Sequence, residues 1–486
     1  MNRLPAVPRG LRPLIRGGAA NLAGPAISAA VLAVTTPLYL HVIGLPRFGA
    51  LALFWLLTGY FGVFHVGLSA AACQALAGPL GRDRAARGPL VRSAVAISAI
   101  AGLLGGACLW VFGRPILHLL IAGPSASFAR EATACLPWLA AALPLAAIAS
   151  TLTGVMDAGE RFVSANAIQT AGSAMNRIFP LTAAFFIAPQ LPVLIAAGVL
   201  AQAATAAALA AANRADLGSA GRGWGAVPHL LRYTLWASVS GAVGPLLSSL
   251  DRVAVSATLG AATLGIYSIP MSVCSRLTTF TAAFCRTIFP RLSARGDSAL
   301  SLARRSLVML AAAWTPLVLA GVLLMRLGLR LWLGGRISDL AAPIGIVLLA
   351  GVWANGLAAV PFAQSYSQAR PDRVAKVHLL ELLPFLVLLW FGLRWYGMLG
   401  AALAWDARVA ADAWLLFYTA GFRGSDLRGL GVPALLLAAA LALALHGFRA
   451  RTDWLAGAAV EIGSLIWAAH SGGRAWSVGK LRAANV

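Results

Sequence analysis

Apolar runs of about twenty residues alternate with short polar breaks along almost the whole chain. Such a run, wound as a helix, is long enough to cross the roughly 30 Å hydrocarbon core of a bilayer. Runs begin near Ala19, Phe48, Val91, Ala132, Val163, Val193, Tyr233, Leu264, Ser306, Leu340, Val377, Met398, Leu430 and Trp454. The pattern predicts an all-α integral membrane protein of 12–14 transmembrane helices. The last run is the least regular, because Glu461 and His470 interrupt it.

Composition agrees. Of 486 residues, 60% are hydrophobic and only 11% charged, where a soluble domain carries about 25% charged residues. A water-soluble enzyme, a disordered chain and a disulfide scaffold are excluded on these grounds. The apolar run Ala19–Val42 exceeds the length of a signal peptide's apolar stretch, and further runs follow, so it is read as the first span. Connections are short, and the longest outer one, Gly113–Glu131, is itself partly apolar, so no extramembrane domain is expected.

The net charge of +23 would suggest nucleic acid in a soluble protein. Here the charges follow the membrane instead. Arg3, Arg9, Arg12 and Arg16 precede the first span, and further basic residues fall in alternate connections, around Arg84, Arg214, Arg304, Arg373 and Arg423. Counted over all connections, 24 lie on that side and nine on the other. Basic residues concentrate on the cytoplasmic side, so both termini are expected inside.

A short internal repeat organises the spans. Ile43-Gly44, three residues, then Phe48-Gly49 matches Leu259-Gly260, three residues, then Leu264-Gly265. The offset of 216 residues spans six helices. Both copies therefore run the same way, which predicts two lobes of six helices, as in the parallel repeats of transporters. The expected divisions are a basic N-terminus (1–18), an N-lobe (19–215), a cytoplasmic linker (216–229), a C-lobe (230–422) and a C-terminal pair of spans with its tail (423–486).

Charged residues at bilayer depth cost about 2.5–3.5 kcal/mol each on insertion scales, so they face a cavity or a partner. On the fifth span, Asn166, Gln169, Ser173 and Asn176 recur at three- and four-residue spacing and share a face, with Arg177 beside them. Lipid does not tolerate such a stripe, so it faces protein or water. Arg276 and Arg286 lie ten residues apart on the eighth span, about 15 Å along its axis. With Arg177 they can form a cationic lining for an anionic ligand such as a pyrophosphate, although Arg286 can also snorkel toward the surface.

Asp251 and Arg252 end the seventh span. Adjacent helical residues point about 100° apart, so each needs another partner. At the repeat offset they align with Thr35 and Thr36. On the twelfth span Arg408 and Asp412 are spaced i, i+4, which suggests an intrahelical ion pair. That leaves Asp406 without this partner and Glu381 as a lone carboxylate on the eleventh span. Asp251, Glu381 and Asp406 are thus the candidates for coupling to an ion, H+ or Na+. Pro25 and Pro245, in the first and seventh spans, are candidate hinges.

Several chemistries are missing. Lys376 and Lys480 are followed by Val377 and Leu481, so no Walker A motif exists. There is no H-E-x-x-H, and the His378–Glu381 pair lacks a second pair to complete a metal site; neither a metal nor an organic cofactor is expected. The five cysteines form no C-x-x-C and sit in or beside apolar runs, as small apolar residues do.

Four stretches carry a family resemblance. PLYLHVIGLPRFG (residues 37–49) resembles the first outer turn of Wzx-type polysaccharide flippases, and LDRVAVSATLGAATLGIY (250–267) resembles the start of their second lobe. FPRLS (289–293) is similar to the close of their eighth span. The run from Asn355 through ARPDRVAKVHLLE (369–381) to YGMLGAALAW (396–405) is similar to their tenth to twelfth spans. The resemblance covers residues 21–418. It implies the fold of the multidrug/oligosaccharidyl-lipid/polysaccharide exporter superfamily, with two six-helix lobes in a V around a central cavity and one or two extra C-terminal helices. It also implies transport of undecaprenyl-pyrophosphate-linked oligosaccharide for surface polysaccharide, such as lipopolysaccharide or exopolysaccharide, with Arg177, Arg252, Arg276 and Arg286 as cationic cavity residues. The expected partners are that lipid-linked substrate, the bilayer and polysaccharide assembly proteins, and not nucleic acid. The rivals are a drug/cation antiporter of the same fold, a membrane glycan polymerase or ligase, and a non-transporting scaffold.

Overall fold

The computed structural model describes residues 12–77, 84–217, 246–293, 299–368, 370–448 and 450–483. Its regular elements are helices: α1 (Arg12–Ala77), α2 (Arg84–Leu120), α3 (Ala126–Ala134), α4 (Leu136–Ala158), α5 (Phe162–Phe186), α6 (Leu191–Ala212), α7 (Leu250–Leu259), α8 (Ala261–Ser293), α9 (Ala299–Leu333), α10 (Gly335–Ser367), α11 (Pro371–Thr419), α12 (Gly431–His446) and α13 (Arg451–Ala483). Short turns, Arg214–Leu217, Gly424–Leu427 and Arg428–Leu430, join some of them. No strand occurs among the described residues. Eight stretches among those residues are long and apolar enough to cross a membrane. The chain is a multi-pass helical membrane protein.

Two of those stretches, Gly24–Gly59 and Asp372–Thr419, each contain a break. The breaks are Gly44 (φ 72°, ψ 170°) and Gly397 (φ 56°, ψ −133°). An L-residue at such a φ costs about 1–2 kcal/mol, whereas glycine adopts it freely. Pro46 follows Gly44 closely and disfavours helix at Leu45. Each break separates two expected spans: those beginning near Ala19 and Phe48, and those beginning near Val377 and Met398. Beyond Gly397 the chain returns so tightly that a methyl on Gly400 would run into the Gly392 carbonyl.

The chain divides into two compact units, Met1–Ser249 with Leu259–Gly265, and Leu250–Thr258 with Ile266–Val486. In the first, α1 packs on α4 and α5, α2 on α4, and α5 on α6. Leu152, Met156, Ala165, Ala206 and Leu209 form part of its core. Glycines of the short repeat meet in this unit. Gly44 and Gly260 both have positive φ, and a Cβ on Gly265 would stand 3.4 Å from the Cα of its counterpart Gly49.

In the second unit, α10 packs on α9 and α11, with Trp314 of α9 fully buried. The C-terminal helices α12 and α13 both pack on α9. Pro25 stands within continuous helical backbone, upstream of the break at Gly44. Pro245 and most of the expected linker 216–229 lie outside the described residues.

Candidate functional site

In the first unit the site is built on α5. Its guanidinium, Arg177, lies over the indole of Trp55, 4.7 Å from the ring centroid. Tyr39 donates its hydroxyl to the Arg177 carbonyl at 2.5 Å and meets Trp55 edge-on at 5.8 Å. A ring quadrupole attracts a cation by about 0.5–1 kcal/mol when exposed and about 2 kcal/mol when desolvated. Two aromatic residues of α1 thus hold the arginine of α5 against a stretch long and apolar enough to cross a membrane.

The polar stripe beside Arg177 divides in two. Gln169 donates its side-chain amide to the Thr153 hydroxyl of α4 at 2.7 Å, and half-buried Asn176 sits against Gly198 of α6. These two join helices. Asn166 and Ser173 remain exposed, and the Ser173 hydroxyl turns back to the Thr170 carbonyl at 2.9 Å. A void of about 30 Å³ between Trp55, Asn176, Gly198 and Gln202 has room for about one water and no sugar.

Other charges of this unit hold helix ends together. Arg47 grips Glu131 with Nε and Nη2, at 3.0 and 3.1 Å. Glu131 also accepts the Leu191 N–H at 2.6 Å, which satisfies an open donor at the start of α6. Near the basic ends of the helices, Arg87 and Arg161 share Asp216 at 2.7 and 3.3 Å. Arg161 also donates to Ala212 O and to Asn213, whose side chain is buried.

The second unit holds a different arrangement. Asp251 is 0% exposed and accepts the Tyr267 hydroxyl at 2.7 Å. Arg252 Nε stands 4.0 Å from Asp251 Oδ1, the outer limit of an ion pair, as expected of adjacent residues on one helix. Where the repeat offset puts hydroxyls, Thr35 and Thr36 satisfy themselves by bonding to Val31 O and Leu32 O, both at 2.8 Å.

Around the break in α11, two expectations are corrected. Arg408 does not pair with Asp412 one turn away; its Nη1 bonds Glu381 Oε2 at 3.2 Å. Glu381 is therefore not a lone carboxylate. The hairpin at Gly397 brings these distant positions together, and no spacing rule within one helix registers that. Asp412 instead faces His378 at 3.6 Å, and Arg408 lies over Phe385 at 5.4 Å. Asp406 is half-buried against the Gly351 backbone, where a methyl would run into its carboxylate.

Arg276 and Arg286 are on α8, half-buried and exposed respectively. The hydroxyls near Arg276 are spent on their own helix: Ser272 on Ser268 O, Ser275 on Ser272 O and Thr278 on Ser275 O. The structure thus joins Asp251 to Tyr267 and Glu381 to Arg408. It places Arg177 in the first unit and Arg252, Arg276 and Arg286 in the second. Sequence reasoning missed Tyr39, Trp55 and Tyr267. Their signal was weak: a lone aromatic in an apolar run reads as core, and only the need of a buried charge for a partner singles it out.

Comparison with known proteins adds three likenesses. No protein-family model matches the chain. A "Putative O-antigen transporter" of Shigella flexneri is 28% identical over 409 residues, 83% of this chain and 96% of the relative. The solved structure of the lipid II flippase MurJ in an inward closed conformation superposes with a TM-score of 0.72 at 13% identity, covering 94% of this chain and 98% of that one. An inward-facing multidrug resistance MATE family transporter of the MOP superfamily superposes with a TM-score of 0.67, also at 13% identity, covering 83% and 97%. The chain has the fold of the multidrug/oligosaccharidyl-lipid/polysaccharide exporter superfamily, as its motifs lead one to expect.

Proposed function

We propose that the chain is a flippase that moves undecaprenyl-pyrophosphate-linked oligosaccharide across the bacterial inner membrane for surface polysaccharide biosynthesis. The observation that carries this reading is Arg177, a cation held on Trp55 of a stretch long and apolar enough to cross a membrane, on the helix that also carries the exposed polar groups Asn166 and Ser173. Such a group meets an anionic headgroup and has no use in lipid. The near full-length match to an O-antigen transporter and the likeness to a lipid II flippase support the same substrate class.

Transport proceeds by alternating access, with Arg177, Arg252, Arg276 and Arg286 meeting the pyrophosphate and Asn166, Gln169, Ser173 and Asn176 the sugars. Pro25 and Pro245 serve as hinges. The headgroup moves because its affinity differs between the inward and outward states. Direction comes from an H+ or Na+ gradient acting on Asp251, Glu381 or Asp406. Both termini are cytoplasmic, and polysaccharide assembly proteins receive the product.

The test is flipping by purified protein in proteoliposomes, read as the appearance of a short lipid-linked oligosaccharide to a glycosidase outside. Arg177→Ala is expected to slow flipping at least about tenfold, with Arg177→Lys in between. Absence of flipping by the wild-type chain would overturn the proposal.

A second reading, a drug/cation antiporter, draws on the MATE likeness and on the carboxylates of the second unit. It predicts efflux of a cationic dye coupled to protons, with no flipping.

A further inference from the structure

The base of the second unit has a cavity that the transport reading does not use. It is an open groove of about 720 Å³, lined by Arg373, Lys376, Leu380, Leu415, Tyr418 and Arg423, among others. That volume lies in the range of ordinary small-molecule pockets. Three cations stand at the rim, and the flank is apolar and aromatic.

The cations are loosely held. Arg373 uses Nη1 on the Thr419 carbonyl at 2.8 Å, which fixes the guanidinium at the rim without neutralising it. The Lys376 side chain is 80% exposed and 3.7 Å from Asp372, which is 61% exposed. No carboxylate among the described residues lies within ion-pair distance of the Arg423 side chain. The nearby carboxylate of Asp426 is occupied by Arg304 at 2.9 Å and by the Arg423 backbone N–H at 2.8 Å. The rim therefore keeps a net positive charge.

The flank faces outward. Leu379, Leu380 and Leu383 are exposed along α11, and Trp414 stacks on Tyr418, whose exposure is 72%. On a membrane-spanning helix, such side chains meet acyl chains, with aromatic rings at the headgroup level. A soluble anion would need no such flank, and a neutral lipid would need no cationic rim.

We infer that this pocket binds an anionic phospholipid, its phosphate among Arg373, Lys376 and Arg423 and its acyl chain along Leu380, Leu415 and Tyr418. Bulk membrane lipid is the occupant because cations and apolar side chains open on one lipid-facing surface. The inference is independent of Arg177, which belongs to the first unit.

The test is native mass spectrometry of the full chain in detergent with phosphatidylglycerol or phosphatidylcholine of the same acyl chains. Phosphatidylglycerol adducts are expected to be several-fold more abundant. Lys376→Ala with Arg423→Ala leaves the Arg373 bond to Thr419 intact, and should weaken phosphatidylglycerol binding about tenfold, since each basic residue near a membrane surface contributes to attraction of anionic lipid. Lys376→Arg with Arg423→Lys should restore it. If the alanine pair folds poorly, Lys376→Gln alone should still lose about threefold. Equal binding of both lipids, or an undiminished adduct in the alanine pair and in Lys376→Gln, would overturn the inference. Displacement by excess sn-glycerol 3-phosphate would also overturn it, in favour of a soluble anion site; persistence of the adduct supports the lipid.

Discussion

The two units treat the polar groups of their helices in opposite ways. In the first, Arg177 meets the ring of Trp55, and Asn166 and Ser173 on the same helix stay exposed. In the second, Asp251 meets Tyr267, Glu381 meets Arg408 and Asp412 meets His378. A ring attracts a cation without neutralising it. A paired carboxylate has little left to offer until the pair opens. In the proposed function, the first unit contributes Arg177 to headgroup recognition, and the second contributes its carboxylates to ion coupling or to structure.

Four substitutions break or sharpen this contrast. The largest effect is expected from Glu381→Leu, which strands buried Arg408. Loss of one partner of a buried pair costs about 3–5 kcal/mol, whereas replacing both by apolar residues is often nearly neutral. Thermal unfolding in detergent should show a large loss for Glu381→Leu and recovery when Arg408→Met is added. Equal stability of the two variants would remove the pair from the account. Next, Tyr267→Phe leaves a fully buried carboxylate oxygen without its donor, for about 1–3 kcal/mol. The same measurement checks it, and an unchanged midpoint would mean that Asp251 is satisfied otherwise.

Trp55→Leu removes the ring beneath Arg177. A loss of about 1 kcal/mol of cation–π attraction should slow flipping about fivefold while leaving unfolding nearly unmoved. A stability loss without a transport defect would make the aromatic contact mere packing. Smallest is Asp216→Asn, at the partly exposed junction of Arg87 and Arg161. Exposed ion pairs contribute about 0–1 kcal/mol, so unfolding should shift slightly and less in high salt.

Much of the fold was legible in the sequence, because a membrane helix declares itself by length and hydropathy. The boundaries before Phe48 and Met398 fell on Gly44 and Gly397, where glycine permits a turn that other residues resist. Two glycines of the short repeat, Gly44 and Gly260, both have positive φ. Side-chain partnerships were less visible. The i, i+4 rule pointed Arg408 at Asp412, but the hairpin offered Glu381 from the preceding helix at 3.2 Å. A periodicity rule describes one helix and is silent about its neighbour. The α5 stripe was legible as a polar face, yet its division into helix-joining Gln169 and exposed Asn166 depended on what α4 presents, namely Thr153.

The central claim is that Arg177 serves the headgroup of a lipid-linked oligosaccharide. Its most direct test is the leaflet distribution of undecaprenyl-pyrophosphate oligosaccharide in cells lacking the protein, after complementation with wild-type or Arg177→Ala chains expressed to equal levels. The account predicts accumulation in the cytoplasmic leaflet that the wild-type chain relieves and Arg177→Ala does not. A normal lipid pool without the protein, or full relief by Arg177→Ala, would contradict it.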